Sequence, residues 1–437
     1  MKLSTTAALS AFAAFAAFSG AEAASQPAGD PIGPFLTARS AESPKRYRKA
    51  AKAVAAEAAA GKPLHQFVLA VVSREKDAPE EARLDEETRN RYLEGNRTKI
   101  YNLAQLKDNP LAWYLLSLEK GDENMLRRAA DGDNVQALND IGTRKMSRAL
   151  AGNRASDRVQ AEMREAFGYF NRAAGKNDPN GLYNLGTCYL NGFGCKKDAS
   201  VALDFLRRAA DAEQPKAVNA IGEMYRDGVA VERDRVAATK YFSESASLGY
   251  ANGQYNYGLA LKNGDGIEKN MKRATSYMKL AADQGFVPAM DEYAQCLWNG
   301  AGVEPPSTNG LYGAELDLLL ASAAAAETNR METAAVWWNQ CARAVGYPPS
   351  MYHLAECYLT GRGAAVNERM AVVWLMKAAR ANYVPAMERL ADCCEKGIGG
   401  LKESHYNANW WRTRARYVQG DRNASVWLST HRLEDWR

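Results

Sequence analysis

Apolar residues along most of this chain recur three and four positions apart, inside short strings that return at fixed intervals. These are LGTCYLNGFG from Leu185, IGEMYRDGVA from Ile221, YGLALKNGDG from Tyr257, YAQCLWNGAG from Tyr293, LAECYLTGRG from Leu354 and LADCCEKGIG from Leu390. Taking the small second residue as reference, the copies fall at Gly186, Gly222, Gly258, Ala294, Ala355 and Ala391, spaced by 36 residues except for one step of 61. An earlier copy at Ile141-Gly142 lies 44 residues before Gly186. Aromatic residues keep the same frame at Tyr169, Phe205, Tyr241, Tyr277, Trp338, Trp374 and Trp410, and three residues before most of them stands Ala166, Ala202, Ala238, Ala274, Ala335 or Ala371. Spacings of three and four share one helical face, so each unit predicts two helices. Helix A carries the small residue and, three positions on, Tyr189, Tyr225 or Tyr358. Helix B carries the Ala-x-x-aromatic pair and closes on Ala-Ala, as at Ala209-Ala210 and Ala281-Ala282. The small residue lets helices approach closely, and the aromatic is expected to fill the gap between repeats.

The Gly-x-Gly strings that follow helix A suggest a phosphate loop at first sight. A dinucleotide fingerprint needs a strand before its glycines, and none is predicted here. Positive φ at such a glycine ends a helix and satisfies its last carbonyls. Asp198, Asp234, Asn270 and Asn367, each twelve residues after the reference position, then supply acceptors for the free N–H groups at the start of helix B.

Outside the repeats, MKLSTTAALSAFAAFAAFSGAEA has one Lys, an apolar run from about Ala7 to Phe18 and a small-x-small Ala21-Glu22-Ala23. It predicts an export signal over residues 1–23, too short and Ala-rich to span a bilayer, and hence a periplasmic or secreted protein. Its removal takes away one Lys and one Glu, leaving the formal net charge at +5, a weak hint of anionic partners. No other stretch predicts a membrane span. Residues 24–44, with Pro27, Gly29, Pro31, Gly33, Pro34 and Pro44, predict a flexible linker, and residues 45–123 an N-terminal helical cap.

The pattern Leu-Gly-x-x-Tyr-x-x-Gly-x-Gly, then Asp or Asn, then Ala-x-x-aromatic and Ala-Ala at 36 residues, resembles the Sel-one-like repeat (SLR), a relative of the tetratricopeptide repeat. Six or seven copies cover about residues 124–420. The resemblance implies an all-α protein, an α/α right-handed superhelical solenoid behind the N-terminal cap, that serves as a non-enzymatic protein or peptide scaffold. Departures are Ala294, Ala355 and Ala391 in place of Gly, Cys394 in place of Tyr, and an insertion at about 303–330, where LYGAELDLLLASAAAAE predicts an added helix. Residues 421–437 predict a C-terminal cap, and Trp411, Trp427 and Trp436 of the tail from Asn409 are expected to cover the open end of the array, since such arrays need an atypical terminal unit.

Candidate chemistry is sparse. Seven cysteines in an exported chain suggest disulfides, with Cys188–Cys195 and Cys341–Cys357 as candidate pairs. Yet Cys188, Cys296, Cys357 and Cys393 occupy one repeat slot, which predicts a small buried side chain. His353 and Cys357 stand four apart on one helix without a second ligand pair, so no metal site and no cofactor are expected. Ser-x-x-Lys occurs at Ser73–Lys76 and Ser276–Lys279 without the SDN and KTG strings of a penicillin-binding site. An envelope enzyme acting on peptidoglycan or β-lactams is the alternative reading, and a carbohydrate-binding module using Trp298, Trp411 or Trp427 a further one. The favoured surface is the stripe of helix A at −6, −3, +1 and +4 from the reference residue, which matches the concave lining of tetratricopeptide arrays. Tyr183, Asn219, Arg226, Tyr255, Lys262, Trp298 and Tyr352 on it are expected to bind an extended peptide, the aromatics giving contact area and the cations meeting carboxylates. The expected partner is a protein or peptide of the cell envelope or exterior, with no nucleic acid and no membrane span.

Overall fold

A computed structural model describes residues 32, 35, 44–75, 78–152, 156–303 and 314–433. The expected export signal lies outside the described residues, as do most of the expected linker, residues 304–313 of the insertion, and Trp436. Among the described residues there are twenty α-helices and no strands, and no helix is long and apolar enough to cross a membrane. The chain divides into two compact units, residues 1–257 with 265–267, and residues 258–264 with 268–437.

The first unit begins with α1 (Pro44–Ala59), α2 (Pro63–Val72), α3 (Glu86–Lys107), α4 (Pro110–Lys120) and α5 (Glu123–Asp131). Their starts are written in the sequence: Asp85, Asn109 and Asp122 each accept the free N–H groups of the first turn that follows. Phe67, Leu93, Ile100, Tyr114 and Leu115 form a continuous core here. Ile32 and Phe35, within the stretch expected as a linker, are fully buried, and Phe35 stacks on Tyr47 at 5.2 Å.

The repeats then alternate helix A with helix B. The first unit contains A helices α6 (Val135–Leu150), α8 (Pro179–Asn191), α10 (Pro215–Asp227) and the start of α12 (Ala251–Asn263), with B helices α7 (Asp157–Gly175), α9 (Ala199–Asp211) and α11 (Arg235–Ser247). The second has B helices α13 (Met271–Asp283), α15 (Ala314–Ala344), α17 (Glu368–Arg380) and α19 (His405–Val418), A helices α14 (Val287–Trp298), α16 (Pro348–Thr360) and α18 (Val384–Lys396), and a closing α20 (Arg422–Thr430). Within each unit, helices consecutive in sequence pack on one another.

Most turns from A to B are built as expected, whereas α6 and α14 end on right-handed Ala151 and Asn299. Gly192, Gly228, Gly361 and Gly397 stand left-handed at the C-cap of helix A, their N–H groups returning to the carbonyls of Cys188, Met224, Cys357 and Cys393. Asp198, Asp234, Asn270 and Asn367 cap helix B with their side chains. Their own N–H groups donate to Tyr189, Tyr225, Leu261 and Tyr358, tying the cap back to helix A.

The second glycine of each string has a different task. A Cβ on Gly194 would lie 2.3 Å from the Met163 carbonyl oxygen, on Gly266 2.2 Å from that of Arg235, and on Gly399 2.5 Å from that of Glu368. The turns that follow these A helices therefore sit directly on backbone of the preceding B helix. One copy lacks this glycine: Ala230 adopts φ 59 in its place.

The small residue of helix A packs as expected, but on the neighbour of the frame aromatic. A Cβ on Gly142 would strike Phe170, on Gly222 Phe242, and on Gly258 Met278. The frame residues Phe205 and Tyr241 are half-buried and stack inside one repeat, on Tyr189 at 5.7 Å and on Tyr225 at 5.5 Å. In the second unit the frame residues Trp338 and Trp374 are buried outright.

The insertion does not form a separate helix in its described part. It lengthens helix B at its N-terminal end into the 31-residue α15, whose first turns expose Leu318 and Leu320. Nothing in the run from Ala314 to Trp338 breaks a helix: it holds neither Gly nor Pro and is rich in Ala and Leu.

Candidate functional site

The helix A stripe is a ladder of polar pairs between successive A helices. In the first unit the Asn139 amide donates to Asp178 at 2.8 Å and accepts from Asn184. Gln214 donates to Asn180, and Asn256 donates to Asn219 at 2.9 Å. Asp178 is also the N-cap of α8, and burial raises its carboxyl above the usual range despite the Gly181 N–H and Asn139 amide that it accepts. Buried polar groups that satisfy one another in this way fix register between elements.

This places the expected binding residues differently from the sequence reading. Asn219, expected on the open face, is only 3% exposed, and its amide is engaged by Glu223 and Asn256. Arg226 is exposed, but its guanidinium grips the neighbouring Asp227 at 2.8 and 2.9 Å. Lys262 is paired with Glu292. The two cations expected to meet a partner's carboxylates are thus engaged internally. Tyr183 and Tyr255 in the first unit, and Trp298 and Tyr352 in the second, are half-buried and keep part of their surface to solvent.

In the second unit the stripe becomes aromatic and acidic. Arg362 lies over the Trp298 ring at 5.0 Å, Trp298 meets Trp338 at 5.4 Å, Trp338 stacks on His353 at 4.7 Å, and Tyr352 meets His353 at 5.4 Å and Tyr383 at 5.8 Å. Burial lowers the His353 pKa, so the ring is neutral near pH 7, although Asp291, Glu356 and Glu292 act to raise it. Burial likewise pushes up the phenols of Tyr347 and Tyr383, with the charge of Asp291 adding to it. Asp291 is 5% exposed and accepts from Ser350 at 2.6 Å and Gln295 at 2.8 Å.

Tyr347 and Tyr383 were missed as members of this face. They sit at the N-caps of α16 and α18, eight residues before the reference position, where Tyr250 and Phe286 stand in earlier copies. That recurrence is a readable signal, although it lies just outside the helical spacing that marks the rest of the face.

The other candidates do not assemble into a reactive site. Ser276 donates to the Lys272 carbonyl while Lys279 pairs with Asp283 at 2.7 Å, so the Ser-x-x-Lys groups each have another partner. Ser73 donates to the Ala70 carbonyl, and Lys76 lies outside the described residues. All seven cysteines are free, so neither candidate pair is bridged in this structure. Cys188, Cys296, Cys357 and Cys393 are buried as their shared slot predicts, and burial pushes the Cys188 and Cys357 thiols up to about 12. Among the described residues no three His, Cys, Asp or Glu side chains come together as a metal site.

Helix pairs on a 36-residue period, joined by glycine turns and a ladder of polar pairs, define an α/α repeat protein. The model of the Sel1 repeat matches residues 154–178, 179–213, 215–250, 251–286, 287–309, 348–383 and 384–415, just over half of the chain, and the chain belongs to the Sel1 repeat family. Among solved structures it is similar to a Sel1 repeat protein from Oxalobacter formigenes (20% identity, TM-score 0.49, covering 62% of this chain and 96% of that one). It is also similar to a protective antigen of uropathogenic Escherichia coli strains displaying an SLR fold (19% identity, TM-score 0.39, 86% and 90% covered). A third similar structure is a putative Sel1 repeat protein from Klebsiella pneumoniae subsp. pneumoniae (22% identity, TM-score 0.30, 46% and 93% covered). Comparison with curated proteins gave no match.

Proposed function

We propose that this Sel1 repeat protein is an exported, non-catalytic scaffold that binds a protein or peptide partner in the cell envelope or outside the cell, along the helix A faces of its repeats. The observation that carries the reading is the character of that face. Half-buried aromatics stand in a frame of polar groups already satisfied by one another, so a partner gains aromatic contact area without leaving a buried donor or acceptor unpaired. The cationic ends expected of Arg226 and Lys262 drop out of the contact set, and Tyr347 and Tyr383 join it. Export rests on the Ala21-Glu22-Ala23 cleavage pattern.

The test is affinity capture from cells with wild-type chain and with the Tyr255→Ala/Tyr352→Ala variant. The expected result is a defined partner that the variant loses while keeping the wild-type melting temperature. Undiminished capture by the folded variant would sink the assignment.

A further inference from the structure

The chemistry of the partner can be read from the second unit. Helices α14, α16 and α18 carry Asp291, Glu292, Glu356, Glu388, Asp392 and Glu395 against two cations, Arg389 and Lys396. Ion pairs account for four of the carboxylates: Glu292 with Lys262, Glu356 with Arg389 at 2.7 Å, and Asp392 and Glu395 with Arg412 at 2.9 and 2.7 Å. Asp291 and Glu388 have no ion-pair partner among the described residues.

These two occupy the same repeat position, three residues before Ala294 and before Ala391, and the residue at that position on the intervening helix α16 is Tyr352. The stripe thus reads acid, aromatic, acid on three successive A helices. Asp291 is buried and adds to burial in raising the phenols of Tyr347 and Tyr383, whereas Glu388 is exposed and acts on that of Tyr352 behind burial, Glu356 and the opposing Arg389. Burying a carboxylate without a counter-cation costs free energy, and tyrosine faces attract ammonium and guanidinium groups. Both features favour a cation supplied from outside.

Resting on the scaffold reading above, we infer that the second unit binds an extended basic segment. One Lys or Arg lies on the half-exposed faces of Tyr347 and Tyr383, within the field of the buried Asp291, an apolar residue lies on Tyr352, and a second Lys or Arg meets Glu388. Neighbouring helices pack about 8–10 Å apart, so two steps of the ladder span about 16–20 Å. An extended chain covers this in about five or six residues at about 3.3 Å each, which sets the spacing of the two cations.

The experiment uses the full chain and fluorescence anisotropy with dye-labelled Gly/Ser peptides carrying a central Leu flanked by two Arg about six positions apart. Control peptides carry Gln or Glu at the Arg positions, or the two Arg only three apart. The expected result is that the six-spaced Arg peptide binds at least tenfold tighter than every control and weakens as salt is raised. Asp291→Asn and Glu388→Gln should each cut its affinity several-fold. Glu388 is exposed, so its variant carries the test if Asp291→Asn lowers the melting temperature. Equal binding of Arg and Glu peptides, or affinity unchanged in a folded Glu388→Gln variant, overturns the inference. Should Tyr255→Ala/Tyr352→Ala abolish capture of the cellular partner while Glu388→Gln leaves it unchanged, the scaffold reading stands and the basic segment falls.

Discussion

Trp374 shows what a single side chain does in these repeats. It is 5% exposed, packs in the core of the second unit and carries the Lys377 ammonium 4.2 Å above its ring. Trp374→Ala should lower stability by about 3–5 kcal/mol, read from the midpoint of urea unfolding. Ala230 offers the opposite case. It holds a left-handed backbone where sister copies have glycine, and Cβ crowding there costs about 1–2 kcal/mol against a backbone-entropy penalty for glycine of under about 1 kcal/mol. Ala230→Gly should therefore raise stability by about 0.5–1 kcal/mol. Thiol chemistry follows from burial as well. Cys195 is the half-exposed cysteine among six buried ones, so native chain treated briefly with iodoacetamide should be labelled there first, with Cys188 and Cys357 the slowest, as mass mapping would show. The slot shared by Cys188 and Cys393 announced their burial in advance. Which of two adjacent residues, Phe205 or Leu206, meets the small residue was not legible, because consecutive helical positions differ by only about 100° and both border the packing face.

At the level of helices and turns, the two glycines of one string differ in what they tolerate. Gly192 needs only its left-handed conformation, and a Cβ there would find its nearest neighbour, Lys197 Cβ, at 3.3 Å; on Gly194 it would collide with the Met163 carbonyl. Gly192→Ala should cost about 1 kcal/mol for positive φ alone, and Gly194→Ala clearly more, as thermal melts of the two variants would show. The helices themselves, their caps and their first glycines were legible because they depend on residues close in sequence. The second glycine's task and the polar ladder were hidden, since Asn139–Asp178 and Asn219–Asn256 are contacts between repeats whose partners no local pattern pairs. That is also why Lys262 looked available to a ligand, its partner lying a repeat away, and Asn219 too, one of whose two partners, Asn256, does.

Over the whole molecule, pH acts through the half-buried His353 imidazole. His353 has its pKa lowered, chiefly by burial, so its contribution to stability is complete above the ordinary value of 6.5 and is lost as pH falls from there towards the folded-state pKa. Asp178 works in the opposite sense, its raised carboxyl favouring the fold when protonated at lower pH. The His353 contribution alone lowers the melting temperature on acidification below about pH 6.5, so His353→Gln should lose less stability over that range than the wild-type chain. For the proposed export, intact mass of chain recovered from cells should correspond to a product beginning at Ala24.

The contact made by each second glycine acts as a gauge block. Gly194, Gly266, Gly302, Gly363 and Gly399 all meet backbone 30 to 32 residues upstream, and Gly363 does so although the inserted segment precedes its partner, Met331. The added turns of α15 enter the chain ahead of the gauged interval, so the step between repeats is blind to them. The start of α15 is thus a place where this chain carries an appendage, and with it a new surface, outside the interval that the glycine contact measures.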